Sequence, residues 1–191
     1  ADVDFSSSGN KAFLSIKGES GDNGLNFNDF DLGDEFHNYM DFDLAKGIPT
    51  ELVLDFGLGE ANINLTDLSL SYFELDCGLS DVKLEMDRSN KITCERVSIS
   101  SGLGDFNGYG LGNLNSRKFN LDVGLGVLEL ILPENVNIKL RVDHSFLSSV
   151  DVDVLMSEGR NKYVSKHWDK NRPTITGDIS VGIGSVDIEV D

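Results

Sequence analysis

Proline, cysteine and long apolar runs are all scarce in this chain. Three prolines, two cysteines and one tryptophan occur among 191 residues, against twenty glycines set at regular places. A sequence so ordered in its glycines and so poor in proline is not a disordered segment. Cys77 and Cys94 have no CxxC spacing. They make neither a disulfide framework nor a zinc site, and pairing between them stays open beside two buried thiols. No apolar run is long enough to cross a bilayer, which excludes direct membrane insertion of this segment. The chain shows no signal peptide and opens on Ala1 without an initiating Met, so a removed upstream segment is expected. Cations are few as well: 16 Lys and Arg against 33 Asp and Glu give a net charge of −17, spread along the chain. That field repels phosphate backbones and anionic headgroups and excludes nucleic acid as a partner. It favours cationic partners or metal ions, or serves solubility alone.

What is present is a repeat. Gly57, Gly78, Gly102 and Gly124 lie 21, 24 and 22 residues apart in the strings LVLDFGLGEANINL, FELDCGLSDVKLEM, VSISSGLGDFNGYG and FNLDVGLGVLELIL. A degenerate copy, LRVDHSFL, puts Ser145 in the place of the glycine, and a last copy, ISVGIGSVDIEV, centres on Gly182. Apolar residues stand five and three positions before the first glycine (Leu52 and Leu54, Phe73 and Leu75, Val97 and Ile99, Phe119 and Leu121). This period of two is that of a strand. One position after it come Leu58, Leu79, Leu103, Leu125 and Ile183, expected to continue the alternation as one buried stack. The next apolar positions are four, six and eight after it, so the phase slips by one and the chain must turn a corner. The second glycine of each GxG supplies the backbone freedom for that corner. A nucleotide loop is excluded, because strand residues and not a helix follow.

Shorter apolar pieces, Leu68 with Leu70, Ile92, and Val136 with Ile138, suit a third face before the next copy. Three short strands per turn of about 22 residues predict an all-β, single-stranded β-solenoid over 52–191. Residues 1–51 are expected to form cap strands, from the alternation in KAFLSIKG and the acidic, aromatic NDFDLGDEFHNYMDFDL. Between Ser145 and Gly182 the step is 37 residues, so an inserted loop is expected at about 155–174.

With its Asp-x-GxG strings, as in LVLDFGLGEANINLTDLSL, the stretch 45–191 resembles the toast-rack and LiaF-like C-terminal domains of bacterial cell-envelope proteins. The resemblance implies export, display at the envelope or cell surface, and anchoring by a segment outside this chain. Some LiaF-like members restrain a sensor kinase. It supplies no catalytic motif, and it implies a non-catalytic module for display, adhesion or regulation whose partner is a protein or an envelope component. The competing class is a glycan-directed enzyme or a calcium-assisted carbohydrate-binding domain.

Two groups of candidate site residues stand out. Asp55, Asp76, Asp122 and Asp143 recur two positions before the first glycine, with Ser100 and Ser180 in the other copies. Stacked, they form either a row of hard oxygen ligands for Ca²⁺ or acceptors for the amides of their own turns; the second reading, with no cofactor, is preferred. Asp151 and Asp153 add an acidic strip. The insertion carries Arg160, Lys162, Tyr163, Lys166, Trp168, Lys170 and Arg172, a basic and aromatic contact surface on an acidic scaffold or a plug for the side of the stack. Paired carboxylates for glycan hydrolysis are uninformative among so many acids. His37, His144 and His167 are dispersed, and His144 falls in the inward column of Phe56, Cys77 and Val123, which predicts a packed side chain.

Overall fold

The computed structural model describes residues 2–8, 11–17, 41–152 and 154–191. They form two units, 1–42 and 43–191. In the first, β1 (Asp2–Ser8) and β2 (Lys11–Lys17) make an antiparallel hairpin pairing Asp2 with Lys17 and Ser8 with Lys11. Most of the acidic stretch expected as the rest of a cap lies outside the described residues.

The second unit holds β3 (Pro49–Asn64), β4 (Ser69–Glu85), β5 (Arg96–Leu103), β6 (Phe106–Tyr109), β7 (Phe119–Leu132), β8 (Asn137–His144), β9 (Ser148–Asp151), β10 (Leu155–Gly159), β11 (Lys162–Ser165) and β12 (Thr174–Val190). Apart from β10 and β11, its strands pair in parallel and in register from copy to copy. Leu54, Leu75, Ile99, Leu121, Ile179 and Val142 form one continuous inward column. A straight strand of the length of β3 would run roughly 50 Å at about 3.3 Å per residue. Only 65–68 join its end to Ser69, which pairs with Pro49 at its start, and such a link reaches at most about 18 Å. The strand must therefore fold back at its middle, and each copy wraps a core.

The fold point is visible in exposure. In β4, Phe73, Leu75 and Cys77 are buried, Gly78 and Leu79 both face out, and Ser80, Val82 and Leu84 are buried again. The phase slip thus falls between the two glycine positions and turns the second of them inward. Gly59, Gly104, Gly126 and Gly184 take φ of +133 to +150° there. The leucine stack consequently lies on the opposite face from that expected. Leu58, Leu79, Leu103, Leu125 and Ile183 are aligned, but they are 76, 51, 43, 45 and 44 % exposed. The third face is corrected too. It is made of the connections 65–68, 86–95, 110–118 and 133–136 with one 3-10 turn at Leu111–Leu114, not of a third strand. Buried asparagines hold these connections together: Asn90 accepts from the Leu70 amide at 3.0 Å and donates to the Leu70 and Leu114 carbonyls, while Asn113 donates to the Met86 carbonyl.

The order of the rungs departs from the order of the chain. It runs β3, β4, β5 with β6, β7, β12, and then β8 with β9, so the C-terminal strand lies between β7 and the degenerate copy. Backbone contact explains the exchange. A Cβ on Gly182 would stand 2.4 Å from the Gly124 carbonyl oxygen, and one on Gly184 would stand 1.8 Å from that of Gly126. Only the copy that keeps both glycines fits on β7. The copy with Ser145 takes the outer position, where its strand breaks into a turn between β8 and β9.

Candidate functional site

The interruption of the repeat is a β-hairpin, β10 with β11, laid antiparallel on the outer edge of β8 through the pairs Lys162–Arg141, Tyr163–Leu140 and Val164–Lys139. Its turn follows from the sequence GRN: Gly159 at φ +140° and Asn161 at φ +60° take backbone that glycine and asparagine tolerate. Leu155 and Val164 are buried beneath it, and the Ser165 hydroxyl accepts from the Ile138 amide at 2.7 Å. The hairpin therefore covers an edge that would otherwise be open to pairing.

At its tip, Asn161 Nδ2 donates to Asp143 Oδ1 at 3.0 Å, and Arg141 Nε lies 2.8 Å from Asp143 Oδ2. The Asn161 hydrogen bond and then Arg141 hold the Asp143 carboxyl below its ordinary range. Arg160 and Lys162 join Arg141, Asp143 and Asn161 around an open hollow, a cationic spot on an acidic molecule. Arg141 was missed because it sits on a repeat strand and reads as scaffold; alternation alone marks it as outward.

After β11 the chain returns along 166–173, fixed by buried Asn137. Its Nδ2 donates to the Asp169 and Arg172 carbonyls at 2.7 and 3.2 Å, and its Oδ1 accepts from the Asp169 amide at 3.0 Å. Lys166, Trp168 and Lys170 are exposed on this return, the indole by half. Arg172 donates to the Glu134 carbonyl at 2.7 Å, and Tyr163 packs half-buried against the core. The seven residues thus divide between the tip (Arg160, Lys162), the return (Lys166, Trp168, Lys170) and structural work (Tyr163, Arg172).

The recurrent carboxylates occupy one column in the order Asp55, Asp76, Ser100, Asp122, Ser180, Asp143. Serines separate Asp122 from carboxylates on either side, and Asp143 is engaged by Arg141 and Asn161. Among the described residues no group of three or more His, Cys, Asp or Glu converges as a metal cluster would. Amide capping at the glycine corner falls to other acids: Asp81 Oδ1 accepts the Asp105 amide at 3.0 Å, and Asp105 Oδ1 accepts the Val127 amide at 3.2 Å. Each bond ties one rung to the next. Asp151 lies in β9, while Asp153 and His37 fall outside the described residues.

His144 is exposed rather than packed. It belongs to the inward column through its pairing with Val181, yet β11 pairs only with 139–141 of β8, so its pairing stops short of His144. Cys77 and Cys94 are free and buried. Burial, with the charges of Asp76 and Asp55, pushes the Cys77 thiol up to about 12, and burial raises Cys94. Both shifts favour the protonated thiol over the thiolate. Among the described residues the buried hydroxyls of Ser80 and of Ser101, which pairs with Cys77, have no hydrogen-bond partner.

The family model for the N-terminal domain of toast_rack matches residues 1–109, taking in the N-terminal segment and the first three rungs. No curated protein matches the chain in sequence. Among solved structures, the chain is similar to a crystal structure from Clostridium sporogenes of a protein described as a candidate for cell adhesion. The TM-score is 0.60 at 20 % identity, over 100 % of this chain and 76 % of that one; a likeness at that identity concerns the fold. Among the described residues no helix is long and apolar enough to cross a membrane.

Proposed function

Because the chain belongs to the toast_rack N-terminal domain family, we propose that it is a non-catalytic β-solenoid module of the bacterial envelope or cell surface. It works by protein or envelope contacts and without a cofactor. The adhesion description of the Clostridium sporogenes protein supports this reading. The observation that carries it is the edge hairpin. On a chain of net charge −17, Arg160, Lys162, Lys166 and Lys170 stand exposed on a rigid frame with Trp168 among them. Cations on such a frame recognise an acidic partner, and exposed charges lose their reach beyond about 8 Å at physiological ionic strength.

The test is binding of labelled protein to isolated bacterial envelope. The pair Arg160→Glu/Lys162→Glu and the pair Lys166→Glu/Lys170→Glu should each weaken it, and salt should weaken it in the native protein. Charge-reversed variants that bind as well as the native chain refute the assignment.

A further inference from the structure

The leucine ladder on the outer corner is a second surface, carried by elements other than the hairpin. Five apolar side chains, Leu58, Leu79, Leu103, Leu125 and Ile183, stand in register on successive rungs, all at least 43 % exposed. Each follows an outward glycine, so the ridge is bordered by a trough without side chains. A contiguous apolar strip on the outside of a chain otherwise rich in charge is a contact feature, not chance exposure of single residues.

Its borders select the partner. Exposed Asp55, Asp76 and Asp122 lie three residues before the ladder, and exposed Glu60, Asp81 and Asp105 two residues after it. Lys83, in the next outward column, is paired with Glu85. A second copy of the chain would set carboxylate rows against carboxylate rows, and an anionic bilayer would be repelled. A partner with an apolar stripe between two rows of cations is complementary on all three strips. The spacing selects its form. Rungs recur at about 4.8 Å, close to the roughly 5.4 Å advance of an α-helix per turn. Alternate residues of a strand recur at about 6.7 Å and drift out of step by the second rung. Five rungs span roughly 19 Å, or about three and a half helical turns.

We propose that this ridge is a docking site for a basic amphipathic helix of a protein partner, its apolar stripe on the leucine ladder and its Lys or Arg flanks on the two acidic rows. The test uses a fluorescein-labelled model helix of about 18 residues, with a leucine stripe at i, i+4, i+7 and i+11 flanked by lysines, and a scrambled isomer of the same composition. By fluorescence anisotropy, the native chain binds the amphipathic peptide at least about tenfold more tightly than the scrambled one. Leu79→Ser/Leu103→Ser, whose sites are exposed, loses at least about tenfold while its circular dichroism melt is kept. On the unsubstituted protein, methyl NMR gives a second readout: the peptide shifts the methyls of the ladder before any others. Equal binding of the two peptides, or of the two proteins, overturns the proposal. So does a native dimer by sedimentation that the serine variant converts to monomer, which assigns the ridge to a second copy. Pelleting with phosphatidylcholine vesicles that the variant abolishes assigns it to lipid and overturns it equally.

Discussion

Four glycine-to-alanine substitutions separate two forces that shape the corner. Gly59 and Gly126 share a column and a backbone conformation, φ +134° and +150°. A Cβ on Gly59 meets nothing within 4 Å, whereas one on Gly126 would lie 1.9 Å from the Gly104 carbonyl oxygen. Gly57 and Gly124 repeat the contrast without positive φ, the first open and the second 2.4 Å from the Gly102 carbonyl oxygen. Gly59→Ala therefore carries backbone strain alone, about 1–3 kcal/mol. Gly126→Ala adds the displacement of a hydrogen-bonded rung by more than an ångström, a further 1–3 kcal/mol, roughly, on the scale of overpacked cores. Gly124→Ala carries only the second contribution, and Gly57→Ala is neutral or gains about 0.5 kcal/mol from a stiffer unfolded chain. At about 2–4 °C per kcal/mol for a chain of this size, Gly126→Ala should melt roughly 2–12 °C below Gly59→Ala by calorimetry or circular dichroism. Equal melting of Gly59→Ala and Gly126→Ala, or a Gly124→Ala as harmless as Gly57→Ala, would refute the reasoning that rung-to-rung contact fixes these positions.

Ile99→Ala, in the inward column, should lower stability by about 2–5 kcal/mol in urea titration, and Leu103→Ala, four residues on but outward, by less than about 1 kcal/mol. Cys77 holds its proton more tightly folded than unfolded. Its stabilising contribution is fully present below about pH 9, the ordinary value, and is lost as pH rises towards 12; Cys77→Val should flatten the alkaline fall in urea midpoint. Asn137→Ala should free 166–173, seen as lost hydrogen-exchange protection at the Asp169 amide and faster tryptic cleavage at Lys166 and Lys170, with roughly 1–3 kcal/mol lost from unpaired backbone groups. Millimolar Ca²⁺ should move the melting midpoint by less than about 1 °C, since a ligand stabilises only the state it binds, and a rise of several degrees reversed by chelator would refute this.

The register was legible because every rung repeats the same contacts: Gly57, Gly78, Gly102 and Gly124 fall into one column whichever way the strands face. The facing of the leucines was legible in principle. Inward positions four, six and eight after the first glycine, stepped back by two, put the second glycine inside and Leu58 outside. Placing the slip after the leucine instead inverted a whole column. The place of β12 required reading Ser145 as a steric statement, that this copy cannot rest on Gly124, and not as mere degeneracy. The edge hairpin was beyond periodicity altogether. Its antiparallel pairing of Tyr163 with Leu140 is set by an exposed strand edge, a property of the stack and of no local string. At the candidate contact site the cations were legible as a cluster, but the engagement of Arg172 with Glu134 and the recruitment of Arg141 belong to tertiary structure.

The wedged C-terminal strand has a consequence for how the molecule comes into being. A stack built in chain order can add each rung as the polypeptide emerges, with every new copy finding its neighbour already in place. Here β7 waits for a partner 58 residues downstream, the distance from Gly124 to Gly182, and β8 with its hairpin has no rung to rest on until residues 174–181 have arrived. During synthesis the first four rungs, β3 to β7, can assemble in chain order, while 133–173 waits for β12. Closure is then slow, because the longest loop in the unit must shut before any of these contacts form. Loss of β12 would remove an interior layer and not a fringe, so the rung of β8 and β9 and the edge hairpin depend on the strand that emerges after all of them.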